Sequence, residues 1–246
     1  MNIRLLIIIT LFLLSLLVRL TYYYCNPVQW RDSGLYKDMV EQWETNGAYP
    51  SKDKYGQENT IPPFPIFLFM ISHKVSGNSF YLSNTALQIV LGSALICVLW
   101  GILSELRIKC IYAVIICIMA VFNKNLLDYS TQITRDNLYL LLCALFFYYA
   151  IKTIKNKSVF YSAFSGVLLA FTFLTRYEGI EFLLIFPLVL IMERTIKLKH
   201  KILLSSFFSS FFFLVVIFTI RAITPEYIYT VALTNKFLPY INVFGN

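Results

Sequence analysis

Three short clusters in this 246-residue chain bring acids and a guanidinium together: Arg31-Asp32-Ser33, Thr134-Arg135-Asp136 and Thr175-Arg176-Tyr177-Glu178-Gly179. A carboxylate that is free to accept a proton is a general base, and guanidinium geometry suits bidentate binding of phosphate. The pattern therefore points to one cavity in which Asp32 and Asp136 supply carboxylates and Arg176 supplies a cation for an anionic head group. Each cluster also has a structural reading. Asp32 can be a helix N-cap, Arg135 and Asp136 can be charges at a helix start, and Arg176 can pair with Glu178 or Glu181 inside a tight hairpin. His73 and His200 stand near opposite ends of the expected helices, and no nucleophile-elbow, nucleotide-loop or zinc spacing is present, so the sequence assigns no metal ligands.

The elements that must position these clusters are dictated by composition. Hydrophobic residues make up 58% and charged residues 14%, and mean hydropathy is +0.68. A soluble domain cannot carry so little polar surface, so the expected class is an all-α integral membrane protein. The first apolar run, Leu5 to Val18, is followed by Arg19 and by Tyr22 to Tyr24 rather than by small residues. It reads as an uncleaved anchor over 1–24 that ends in an aromatic belt. Six further apolar segments follow within 80–221, at about 79–104, 108–123, 134–151, 158–175, 180–194 and 202–221, giving about seven transmembrane helices in a single module, with a tail at 222–246. The five cysteines lie at Cys25 and in or at the ends of apolar stretches, with no disulfide framework or Cys/His metal spacing.

The loop over 25–79 is too long for a plain connector and should hold two interfacial helices. From Ser33 to Asn46, Leu35, Tyr36, Met39, Val40 and Trp43 fall on one helical face, with Asp32 or Ser33 expected to cap its start and Asn46-Gly47 to end it. Pro62-Pro63-Phe64-Pro65 restarts the chain into a second helix closed by Ser76-Gly77-Asn78. If this second helix does not cross the bilayer, Arg4, Arg107/Lys109, the Lys152/Lys155/Lys157 cluster and the Arg194 to Lys201 cluster all become cytoplasmic, as the positive-inside rule requires. Every acidic residue except Glu105 and Glu193 then faces the other side. The net charge of +8 is thus an orientation signal for a multi-pass inner or plasma membrane protein with a cytoplasmic N-terminus, and no basic aromatic patch suggests nucleic acid.

The order of features resembles a known family. An anchor, then Asp32-Ser33-Gly34-Leu35-Tyr36 leading an amphipathic helix that ends in Asn46-Gly47-Ala48-Tyr49, then Pro62-Pro63-Phe64-Pro65, resembles the first extracytoplasmic loop of GT-C class membrane glycosyltransferases. The nearest group is similar to dolichyl-phosphate-mannose protein mannosyltransferases and to aminoarabinose and galacturonosyl transferases. Ile133-Thr134-Arg135-Asp136-Asn137-Leu138-Tyr139 resembles that group's second acidic site, and Leu174-Thr175-Arg176-Tyr177-Glu178-Gly179 its Leu-Thr-Arg/Lys signature.

The resemblance implies transfer of a sugar from a polyprenyl-phosphate carrier to an acceptor hydroxyl on a lipid, glycan or protein at the extracytoplasmic face. Asp32 would be the general base, Arg176 would hold the departing phosphate, and Asp136 would orient the sugar or help bind a divalent cation. Such a cation is used by some relatives only, so no cofactor is assigned. Arg135, Tyr36 and Glu178 join as substrate-binding candidates. Lys54 would replace the lysine that many relatives place before the Pro-Pro step, where this chain has Thr60-Ile61. The family often has Asp-Glu where this chain has Asp32-Ser33, which removes one acid. Relatives commonly continue for several more helices, which leaves open a second reading: a truncated or noncatalytic subunit acting as a scaffold or as half of a split enzyme. The topology is directly testable in a cysteine-free background. An impermeant maleimide should label E41C in intact cells and should reach K155C and K199C only after permeabilisation; labelling of K155C in intact cells would overturn the arrangement.

Overall fold

The computed structural model describes residues 3–27, 30–50, 59 and 61–223. Among these the chain is entirely helical: α1 (Ile3–Cys25), α2 (Arg31–Asn46), α3 (Pro63–Ser76), α4 (Phe80–Glu105), α5 (Cys110–Val121), α6 (Lys124–Thr131), α7 (Arg135–Asn156), α8 (Val159–Thr175), a 3₁₀ turn at Tyr177–Glu181, α9 (Phe182–Met192) and α10 (Leu198–Ile223). The all-α membrane class is as the sequence implies. Four helices, α1, α4, α7 and α10, are long and apolar enough to cross a bilayer, and α5 with α6, bent by 56°, make a fifth if they form one broken span. The expected count of seven is not reached on length. With 17 residues α8 is a shorter apolar helix, and the 11 residues of α9 extend only about 16 Å against a hydrocarbon core of about 30 Å.

Two glycines end the loop helices as the sequence suggests. Gly47 and Gly77 adopt the left-handed conformation (φ 69° and 63°), which lets their N–H groups return to the carbonyls of Trp43 and His73. The start of α2 differs from expectation. Its N-cap is Trp30, with no side-chain cap, and Asp32 lies inside the first turn. The reading of Asp32 or Ser33 as the cap is therefore wrong, because Ser33 spends its hydroxyl elsewhere, on the carbonyl of Ile133 at 3.3 Å. The apolar face of α2 is buried as its periodicity predicts: Tyr36, Met39, Val40 and Trp43 pack with Tyr49, Ile66, Phe69, Phe80 and Ile133. The 14 residues of α3 span about 21 Å, too short to cross, and α3 packs on α2, α4 and α8.

The ends of the bundle are sorted by charge. Lys155 pairs with Glu105 at 3.4 Å, Lys157 Nζ donates to the Thr195 carbonyl, and Lys201 Nζ donates to the Ile191 carbonyl. These contacts gather the basic connections at one end. At the other end the Tyr22 hydroxyl donates to Asp128, close in sequence to the Thr134-Arg135-Asp136 cluster.

Two close approaches hold the bundle. Arg19 of α1 is fully buried, donates to the Ser15 hydroxyl, and lies so near Gly92 of α4 that an added Cβ would meet Arg19 Nε at 2.7 Å and Ser130 Cβ of α6 at 2.4 Å. Arg19 Nε and Nη2 have no partner among the described residues. In α8, a Cβ on Gly166 would meet the Phe208 carbonyl of α10 at 2.2 Å. That neighbour is backbone and cannot rotate away, so Gly166→Ala must push two helices apart, at about 1–3 kcal/mol. Thermal unfolding in detergent should show a clear drop for Gly166→Ala and almost none for the exposed Leu184→Ala; equal melting of both would show that α8 and α10 are not so closely apposed.

Candidate active site

The site is built around three residues without helical structure. Gln132, Ile133 and Thr134 join α6 to α7 and are almost entirely buried, so their polar groups must find partners inside the protein. They find them on two sides. From α2, the Trp30 N–H donates to the Gln132 side-chain oxygen at 2.9 Å and the Ser33 hydroxyl donates to the Ile133 carbonyl. From α4, Gln88 Nε2 donates to the Thr134 carbonyl at 2.6 Å. Asn137 Nδ2 then donates back to the carbonyl of Gln88 at 2.8 Å and to its side-chain oxygen at 2.9 Å. The first turn of α2, which carries Asp32, is thereby fastened beside the first turn of α7, which carries Arg135 and Asp136.

Tyr36 reports their proximity. One turn beyond Asp32 on α2, it is buried beside Phe69, and its hydroxyl is pushed up to about 12, chiefly by burial. The Asp32 and Asp136 carboxylates both push it further up, whereas the Arg135 guanidinium and a hydrogen bond to the Arg135 backbone pull it down. Asp32, Tyr36, Arg135 and Asp136 thus share one electrostatic neighbourhood. Tyr177 also stands near Arg135, with burial raising its phenol to about 12 and Arg135 opposing that rise.

The two carboxylates have different surroundings. Asp136 is half-buried and is engaged by Arg176 Nη1. Arg176 also faces Glu178 at 3.6 Å and lies over the Tyr139 ring at 5.4 Å. Burial works to lower the Arg176 pKa, but Asp136 and Glu178 outweigh it and hold the guanidinium above its ordinary value. The structure thus brings Arg176 and Glu178 together, as one sequence reading allowed, and adds Asp136 to the pair. By contrast, Asp32 is exposed and has no ion pair or side-chain hydrogen bond among the described residues. Arg135 is half-buried and likewise has neither. Lys54 lies outside the described residues.

The family resemblance leaves a divalent cation possible, and the described residues offer it few side-chain ligands. Hard cations need several oxygen ligands, Asp136 is already neutralised by Arg176, and among the described residues no three His, Cys, Asp or Glu side chains cluster. An open groove of about 320 Å³ lies elsewhere, along Asp38, Glu41, Gln42, Thr45 and Asn46 of α2.

Sequence reading missed the brace formed by Gln88 and Asn137. The signal was present: Gln88 interrupts an otherwise apolar span, and a polar residue at that depth needs a partner. It also missed Tyr139 as the platform beneath Arg176. A double-mutant cycle tests the central pair. Arg176→Gln and Asp136→Asn should each lower thermal stability, with a coupling of about 1 kcal/mol as expected for a half-exposed pair. Additive losses would mean that the pair contributes nothing in solution.

Comparison with known proteins agrees with this architecture. The family model described as dolichyl-phosphate-mannose-protein mannosyltransferase matches residues 60–220. No curated protein and no solved structure matches the chain. The matched stretch runs from the Pro-Pro step through α10 and includes both the Asp136 and the Arg176 clusters, so this multi-pass membrane chain belongs to the dolichyl-phosphate-mannose-protein mannosyltransferase family.

Proposed function

We propose that the protein moves a sugar from a polyprenyl-phosphate carrier to an acceptor hydroxyl of a lipid, glycan or protein on the extracytoplasmic face of a cell membrane. Family membership supports a membrane glycosyltransferase in general. The observation that carries the finer reading is the contrast between the carboxylates: Asp32 is exposed and unpaired among the described residues, whereas Asp136 is held by Arg176. Environment divides two like groups into different roles. A base works best when its carboxylate is not tied to a counter-charge, and of these two only Asp32 has no ion pair among the described residues.

In the proposed reaction the acceptor hydroxyl attacks the anomeric carbon while Asp32 takes its proton. The bond between that carbon and the phosphate oxygen breaks, its electron pair leaves with the phosphate, and polyprenyl phosphate is released. The single displacement inverts the anomeric configuration. Asp136, fixed in orientation by Arg176, accepts hydrogen bonds from sugar hydroxyls. The cationic groups nearby stabilise charge as it grows on the leaving phosphate.

The test is incubation of purified protein with a panel of polyprenyl-phosphate sugars, scored for released lipid phosphate. Asp32→Asn should lower turnover by about 10²–10⁴-fold while leaving the melting temperature and elution volume unchanged. Undiminished release by the variant would rule out Asp32 as the base. Wild-type protein inert toward every donor would favour the scaffold reading.

A further inference from the structure

We infer that the end of the bundle opposite the candidate active site is a docking surface for the headgroups of anionic phospholipids. The inference is independent of the transferase reading and holds equally for a noncatalytic subunit. Three connections meet at this end, over 105–109, 155–158 and 193–201, and they carry eight lysines and arginines against two glutamates. Contacts bind the three together. Lys155 pairs with Glu105 at 3.4 Å, Lys157 Nζ donates to the Thr195 carbonyl at 3.0 Å, and His200 Nε2 donates to the Lys157 carbonyl at 2.7 Å. Within the last connection, Lys201 Nζ donates to the Ile191 carbonyl at 2.6 Å and Glu193 accepts from the Thr195 N–H at 3.0 Å.

These ties occupy both acids and three of the cations. Arg107, Lys109, Arg194, Lys197 and Lys199 remain, all exposed and without an ion pair or side-chain hydrogen bond among the described residues. Like charges held together on one end of a bundle repel one another, and an anionic surface relieves that repulsion. The backbone adds a second observation. The loop helices α2 and α3 end on glycines in the left-handed conformation, whereas α4 and α7 end on Arg107 (φ 58°) and Lys157 (φ 52°) in that same region, where a side chain is strained. Lys157 uses its charge inside the protein, on Thr195. Arg107 has no such use among the described residues, so a counter-charge from outside accounts for keeping a cation where glycine fits better.

The apolar neighbours select a lipid over a soluble acid. Phe160 (70% exposed) lies just beyond the second connection, Met192 (79%) just before the third, and Leu198 (69%) between Lys197 and Lys199. A soluble anion would leave these side chains in water. A leaflet gives them acyl chains and gives the cations phosphates, because lysine and arginine stems lie along apolar surface while their heads reach the headgroup level.

The test is spin-label electron resonance on full-length protein in phosphatidylcholine vesicles, comparing labelled phosphatidylglycerol with labelled phosphatidylcholine in the motionally restricted lipid shell. Wild type should favour phosphatidylglycerol about fivefold or more at low salt, and the triple variant Arg194→Gln/Lys197→Gln/Lys199→Gln should lose at least about threefold of that preference. Lys37→Gln, at the other end, should retain it. In 1 M salt, where screening acts within about 3 Å, the wild-type preference should vanish; persistence there overturns the inference, as does an unchanged preference in the triple variant. Arg107→Gly separates charge from structure: it should melt at or above the wild-type temperature, because glycine relieves the strain, and yet hold less phosphatidylglycerol. Should the triple variant fail to fold, an unchanged preference in Arg107→Gly overturns the inference equally. No preference in wild type also overturns it and leaves an acidic protein as the partner of this end.

Discussion

A buried backbone in an apolar bundle has no water to satisfy it, and that single constraint organises the functional end of this protein. Gln132 to Thr134 interrupt the helices at a depth where they are almost completely enclosed. Their carbonyls and side chains recruit Trp30 and Ser33 from one helix and Gln88 from another. Asp32 and Asp136, the carboxylates of the proposed reaction, come along as neighbours of these ties. Positioning of Asp32 against Asp136 is thus a by-product of hydrogen-bond satisfaction, and it costs the protein no separate device.

How legible this was in the sequence varied with the physics involved. Helices were readable wherever apolar periodicity or a glycine terminator marked them, as at Trp43 to Gly47 and Ser76-Gly77. Crossing was less readable, because apolar composition reports the solvent and helix length reports the span. The run around Pro187 has the composition of a span and only the 11 residues of α9. The cap of α2 was misread for a related reason. Asp32 and Ser33 are good capping residues by type, but tertiary demand from the Ile133 carbonyl claimed Ser33 and moved the helix start to Arg31.

The site clusters were visible as residue types, and their partners were not. Arg176 beside Glu178 could be foreseen from their spacing. That Asp136, 40 residues away, would also hold it depends on how α7 and α8 pack, which no local pattern encodes. The same packing gives Arg176 two carboxylate partners, whereas Arg135 has no ion pair among the described residues.

Arg19 has a bearing on how the molecule comes to exist. Its guanidinium is enclosed by α1, by Gly92 of α4 and by Ser130 of α6. Ribosomal synthesis delivers α1 long before either neighbour, so the nascent helix emerges with an unshielded cation toward its C-terminal end. A lone arginine at the centre of a membrane helix costs about 2.5–3.5 kcal/mol on insertion scales and less toward an end, a cost that the strongly apolar remainder of α1 offsets. The enclosure around Arg19 closes only after Ser130 has left the ribosome. The surroundings of Arg19 are therefore completed by residues made well after α1 itself, from α4 and α6.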